Sequence, residues 1–422
     1  MLRAFSKSAF LMMELCNGTH LIRSRGKNSE IKFNFQGLTQ ILTSHVLIKC
    51  ILFVFLSVVC VYAGDKTGLR INNEWKEIEI NLPDDPSNVM WYSWCGSDNK
   101  KLIAQLSDNV KKTTYFGLID VETGNIDEIR ESPLSLNPSC SPDGRYVFFQ
   151  KRYPATKDDL GKNVNQENLY VYDTRTRKTS LVYESYKGLP VQSLEEVISP
   201  SYRYLIGPEN WQEKVMLPNG ENVEIVSLPT ITTKNGEISE FDNVKWSFDG
   251  ARLFLYAHEE KNALILDPKT GKQTTIPIKI KGALLKKYVH PSPDDTKIYV
   301  TGYFGTFMEG VTNLYSIDLK TPNKPPKLLV RDIDDYGVGA DGAIIFARHN
   351  IHPKQRGNFS HGIYLYDKQG KTTLLKEIRD ISGFGFVYVY IRVSRDGWAV
   401  AYPRKISKTR EAMTVLRRER KN

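Results

Sequence analysis

Short apolar runs rich in aromatic and β-branched residues recur along the chain, as in Tyr146-Val147-Phe148, Leu253-Phe254 and Ile298-Tyr299-Val300. Each follows a tight cluster of turn residues, a pattern that predicts brief strands joined by hairpins. The clearest turn is Ser141-Pro142-Asp143-Gly144. Ser247-Phe248-Asp249-Gly250, Ser292-Pro293-Asp294-Asp295 and Ser394-Arg395-Asp396-Gly397 repeat it. Ser199-Pro200-Ser201-Tyr202, Ala340-Asp341-Gly342 and Gly96-Ser97-Asp98-Asn99 are weaker copies. The third slots of the seven copies fall 45 to 58 residues apart. Pro presets one dihedral, Asp caps the turn with its side chain, and Gly takes the positive φ.

A second motif follows most copies. It appears as Gly117-Leu118-Ile119-Asp120, Leu169-Tyr170-Val171-Tyr172-Asp173, Leu264-Ile265-Leu266-Asp267, Leu314-Tyr315-Ser316-Ile317-Asp318 and Ile363-Tyr364-Leu365-Tyr366-Asp367. Each is a strand ending in a turn, and a fourth strand such as 179–184 or 372–377 comes next. Four antiparallel strands per unit at this period predict an all-β fold, a seven-bladed β-propeller. Copy three lacks the Asp-Gly pair, and the register of its later strands around Pro218-Asn219-Gly220 is left open. The last copy supplies only three strands, near 388–393, 397–402 and 412–416. The segment Trp75–Leu82 alternates Ile78, Ile80 and Leu82 and has no blade of its own, so it is expected to close the ring on blade seven.

The Ser-Pro-Asp-Gly hairpins with their Leu-Tyr-x-x-Asp strands resemble the TolB-like group of WD-type β-propellers over residues 90–403. The resemblance implies the fold. It leaves function open, because such propellers serve as binding scaffolds, peptidase gating domains and lyases.

With 41% hydrophobic and 25% charged residues the chain has a globular balance, which excludes global disorder. The net charge of +10 is unevenly placed: +5 lies in residues 1–63 and +6 in 404–422, leaving −1 for the body. A nucleic-acid partner is therefore not expected, since it would need a basic face on the folded body. Residues 50–62 form an apolar run of export-signal length after Lys49, with Val61 and Ala63 placed for cleavage before Gly64. We therefore expect a leader over 1–63, a single propeller domain with a basic C-terminal tail over 64–422, and a periplasmic or extracellular monomer. An uncleaved anchor is the alternative, and membrane contact is expected only through this signal. Residues 1–45 suit a start codon assigned too early, or an unusually long leader.

No Gly-x-Ser-x-Gly elbow occurs, and seven blades leave no room for a hydrolase domain. The glycines near 302–305 and 383–385 precede no helix, so no phosphate loop is expected. The segments 151–167, 301–312 and 348–361 read as long loops between second and third strands, and equivalent loops emerge on one side of a propeller. They carry Tyr153, Lys157, Phe304, Phe307, His349, His352 and His361, the candidate surface for a protein or glycan partner. No catalytic residue and no cofactor are expected. The alternative is a metal-dependent polysaccharide lyase or hydrolase with His349, His352 and His361 as ligands to a divalent metal. Cys95 and Cys140 hold the same slot in consecutive blades, and either a disulfide or two buried thiols would suit them.

Overall fold

A computed structural model describes residues 74–82, 89–108, 113–130, 138–157, 163–183, 198–207, 214–229, 231–232, 238–239, 241, 243–257, 262–283, 285–305, 310–351, 359–379, 390–405 and 411–419. The expected leader over 1–63 lies outside these residues. The described chain is all β, with seven small sheets in sequence order around a ring: a seven-bladed β-propeller. Six sheets are four-stranded and antiparallel, each starting from a short innermost strand that leads into the Ser-x-Asp-Gly turn. A small hairpin, Ile231–Thr232 with Ile238–Ser239, precedes blade four.

Blade three departs from the expected antiparallel pattern. Tyr204–Gly207 pairs with Asn222–Ser227 in parallel, and Lys214–Met216 takes the outer edge. The chain steps outward first and returns through the turn at 217–221, which closes with Leu217 N–H donating to the Glu221 carbonyl at 2.8 Å. Apolar content explains the order. The returning arm carries Val223, Ile225 and Val226, with both valines buried, whereas the first arm buries only Val215. The more apolar arm takes the inner slot.

The core is divided. Each blade is a thin sheet that can bury its faces only against its neighbours, and seven clusters of buried side chains fill the seven gaps. The seventh gap decides whether the ring is closed. There Ile80 and Leu82, 1% and 2% exposed, join Ala401 and Met413 of blade seven and Tyr92, Leu102 and Leu106 of blade one. Trp75–Asn81 supplies the fourth strand of blade seven, antiparallel to Glu411–Arg418 from Trp75 opposite Arg418 to Asn81 opposite Ala412. The basic C-terminus is thus largely not a tail. Arg404 lies 3.8 Å from Glu77 and 3.6 Å from Glu79, Arg417 3.1 Å from Glu122, and Arg418 3.7 Å from Glu74. Such exposed pairs each contribute at most about 1 kcal/mol and chiefly set register.

The Ser-x-Asp-Gly turn uses its serine as well as its aspartate. Ser141 Oγ donates to Asp143 Oδ1 at 2.8 Å and accepts the Tyr146 N–H at 2.9 Å. Asp143 Oδ1 also accepts the Arg145 N–H, and Gly144 sits at φ +68°. Ser247, Ser292 and Ser394 repeat the pattern with Asp249, Asp294 and Asp396. Burial alone would raise the Asp143 and Asp249 carboxyls, but hydrogen bonds outweigh it and hold both below the usual carboxylate range, those from the Tyr202 hydroxyl, the Arg145 N–H and Ser141 for Asp143 and those from Ser247 and the Ala251 N–H for Asp249.

Copy five puts Asp295 where glycine belongs, at φ +50°. Burial pushes its carboxyl up to about 6, against the pull of Arg252 Nη2 at 2.8 Å and with a further push from Asp249. A folded value above the unfolded one penalises the native state as pH rises through the carboxylate range to about 6. Asp295→Gly should therefore stabilise the protein by about 1 kcal/mol at neutral pH, and by less at pH 4, in urea unfolding at both values. An equal or negative change at neutral pH would contradict this account. Ile80→Ala, which empties a buried site in the closing gap, should cost about 2–5 kcal/mol in the same measurement. A loss below about 1 kcal/mol would mean the gap is held by something other than this strand.

Candidate functional site

The innermost strands of all seven blades border a central channel that encloses about 150 Å³. Its two ends differ. At the turn end, neighbouring turns are tied together. Asn99 donates to Asp396, Tyr202 OH donates to Asp143, and Ala340 N–H donates to the Arg395 carbonyl at 2.8 Å. Arg395 of blade seven also reaches across to blade four. Its Nη2 donates to the carbonyls of Ser247 at 3.1 Å and Phe248 at 2.7 Å, and its guanidinium lies 5.4 Å from the Phe248 ring centre. Arg395 and Phe248 occupy the slot that holds Pro in copies two, three and five. The two copies with a large side chain in that slot are the pair that meet across the channel.

Further along the channel, Lys245 of blade four, His290 of blade five, Asp335 of blade six and Arg392 of blade seven line the wall with Trp94 and Trp246. Asp335 is 8% exposed and well supplied with donors. Its Oδ1 accepts the Tyr336 N–H at 2.8 Å, and its Oδ2 accepts the Ile391 N–H at 2.9 Å and Arg392 Nη1 at 3.4 Å. The His290 ring packs 4.9 Å from that of Tyr336. Trp94 Nε1 donates to the Arg392 carbonyl at 2.7 Å, and Tyr92 OH donates to the Tyr390 carbonyl, so blade one fixes the innermost strand of blade seven.

The three segments expected to be long loops are largely β-hairpins. Blade two runs as strand through Tyr146–Lys157 and resumes at Asn163–Asp173. Blade five does so over Lys297–Phe304 and Val311–Asp318, and blade six over Ile344–Ile351 and Phe359–Tyr366. Pro154 and polar neighbours suggest a loop, but the ladder shifts register between Tyr153 and Thr156 and so accommodates the proline in an irregularity.

Tyr153 OH lies 2.6 Å from Tyr170 OH within its own blade, and the Phe304 ring lies 6.4 Å from Tyr315 within blade five. Lys157 is placed by its backbone alone, opposite Asn163. His349 stands opposite His361 in the ladder. His361 is 2% exposed, with Nδ1 3.2 Å from Asp334 Oδ2, so its ring is inside the blade rather than on a rim. Phe307 and His352 lie outside the described residues. The structure thus places Tyr153, Phe304 and His361 in three separate blades on hairpins that share one side of the ring, and Phe304 also packs into the apolar gap between blades four and five.

No cluster of three or more His, Cys, Asp or Glu suited to a metal occurs among the described residues. Of the three histidines of the alternative metal reading, His361 is engaged by Asp334, while His352 and the His349 side chain lie outside the described residues.

The adjacent carboxylates Asp334 and Asp335 read in the sequence as turn-rich surface, but Asp335 is a buried residue of an innermost strand. For Arg395 the sequence carries a signal, arginine in the proline slot, whereas Lys245 and Arg392 sit at ordinary inner-strand positions that nothing in the sequence marks.

No protein-family model matches the chain, and no curated protein matches it. Among solved structures, an oligogalacturonate lyase from Vibrio parahaemolyticus is 12% identical over 84% of this chain and 94% of that one, with a TM-score of 0.47. Hydrazine synthase of Kuenenia stuttgartiensis is 14% identical over 78% and 96%, with a TM-score of 0.46. The Cps50 (Swd1) β-propeller domain of Myceliophteria thermophila is 11% identical over 78% and 99%, with a TM-score of 0.42. Similarity at this level carries no inference about activity. The propeller rests on the seven sheets themselves.

Cys95 and Cys140 face each other across the gap between blades one and two, with Cα atoms 4.9 Å apart and sulfurs at bonding distance, 2.06 Å. Denatured, unreduced protein should expose two fewer thiols than the reduced sample. Reduction should lower stability by about 2–4 kcal/mol, the range for a bond closing a loop of this length. Equal thiol counts would leave two buried cysteines instead.

Proposed function

We propose that this protein is an exported, TolB-like β-propeller that acts as a binding scaffold for a protein or glycan, without catalysis of its own. The partner engages the side of the ring opposite the Ser-x-Asp-Gly turns. The observation that carries the reading is the Arg395–Phe248 contact across the channel at the turn end. It occupies one mouth with a fixed cation–carbonyl contact and leaves the other as the approach. The long hairpins of blades two, five and six stand on that second side, and connections elaborated beyond what a hairpin needs suit recognition. The Cys95–Cys140 disulfide suits an oxidising compartment.

The test is affinity capture from the native envelope or medium, using the wild type and a variant with the three hairpins trimmed to two-residue turns. Trimming should reduce recovery of the captured partner at least tenfold, while Lys368→Glu on the turn side leaves recovery unchanged. Full recovery by a trimmed protein with a wild-type melting curve would move the binding surface to the turn side or the blade edges.

A further inference from the structure

We propose that the central channel binds one compact anion, a carboxylate or phosphate on a ligand of about six to ten heavy atoms, held by Lys245 and Arg392. This rests on the reading above that the side opposite the turns is the approach, and it names what the ring recognises there. Three observations converge on it.

The first is charge. Among the described residues lining the channel, Lys245, Arg392 and Arg395 are cationic and Asp335 is the single carboxylate. Asp335 already receives two backbone N–H groups and Arg392, and Arg395 is directed at two carbonyls at the turn end. The described wall therefore carries three cationic side chains to one carboxylate, with Arg392 shared between Asp335 and the Ile391 carbonyl.

The second is the medium. Trp94, Trp246, Val338 and Ile391 form apolar wall between the charges, and Lys245 is only 9% exposed. Low-dielectric walls focus a field that open solvent would screen. The same lysine on a blade edge would attract an anion far more weakly.

The third is size. A space of about 150 Å³ matches the engineered cavity that takes up a benzene molecule. It admits one small ring or branched acid and excludes a folded segment. The indole and aliphatic wall suits the apolar part of such a ligand, and the cations suit its acid group.

The anion can arrive as a free small acid or as the acidic end of a chain seated on the approach side, and the experiment separates these. Full-length protein is titrated by calorimetry at low ionic strength with sodium benzoate, with inorganic phosphate, and with benzamide as the neutral isostere. Benzoate should bind at one equivalent, at least tenfold tighter than benzamide, and should weaken as sodium chloride is added. Lys245→Gln should weaken benzoate at least tenfold while Lys368→Gln, on the turn side, leaves it unchanged. If Lys245→Gln does not fold, wild-type tryptophan fluorescence supplies the readout: iodide should quench more than caesium, and benzoate should protect against iodide.

Saturating benzoate that displaces the captured partner identifies a chain end, and benzoate that binds beside a retained partner identifies a free acid. The proposal is overturned by equal affinity for benzoate and benzamide, by wild-type affinity in folded Lys245→Gln, or by no benzoate or phosphate uptake at about 10 mM. It is likewise overturned if iodide quenches no more than caesium. Failure of partner capture with intact benzoate binding would remove the scaffold reading and leave the anion site standing.

Discussion

A ring of thin sheets has no centre to bury, so everything in this protein depends on closing the last gap. Each blade covers its neighbour, and six of the seven interfaces form between blades adjacent in sequence. The seventh must join the two ends of the propeller. The chain meets that requirement by giving blade seven three strands from its C-terminal end and borrowing the fourth, Trp75–Asn81, from the other end. Ile80 and Leu82 then complete the apolar filling between blades seven and one. Glu74, Glu77 and Glu79 meet arginines of blade seven, which explains why the strongly basic C-terminal stretch is paired with an acidic closing strand. What looks like a charge excess at one end is half of a complementary pair.

Closure also fixes how the innermost strands must turn. They are short, between two and seven residues in the six regular blades, and the chain has to reverse within four residues beside the channel. A serine that donates to the aspartate and accepts a strand N–H, with a residue at positive φ, performs that reversal and pairs both the serine hydroxyl and the returning N–H. Copy six begins with Gly339 instead of serine because the ring is tight there: a Cβ at that position would stand 2.4 Å from the Gly397 Cα of the next turn. A weak copy of the motif can thus mark close contact rather than decay.

The turns and strands were legible because each blade repeats the same local problem, and seven solutions reinforce one another. Blade three was not, because its order is decided by which of two short arms has more apolar surface, a comparison that turn chemistry does not encode. The hairpins of blades two, five and six were misread as loops for a related reason. In blades two and six the strands run on through Gln150-Lys151-Arg152 and Arg348-His349-Asn350, polar at successive positions, so the alternation that identifies a half-buried strand vanishes although the ladder continues. His361 illustrates the limit for sites. Its spacing from His349 and His352 suggested exposed ligands, whereas pairing with His349 across the ladder and contact with Asp334 put its ring in the blade. The channel residues were harder still. Lys245 and Arg392 belong to different repeats, and only the ring brings their positions to one channel.

Seven equivalent blades would give a channel with two similar mouths and no preferred polarity. The departures from the repeat break that equivalence. Phe248 and Arg395 replace prolines in copies three blades apart, far enough around a seven-membered ring to face each other, and their contact spans one mouth. Lys245, His290, Asp335 and Arg392 come from four successive blades, so charge spreads over more than half of the channel wall, with Lys245 and Arg392 at its two ends. The repeats therefore specify the ring, and the few positions that deviate from them specify how its two ends differ and where charge lines its channel.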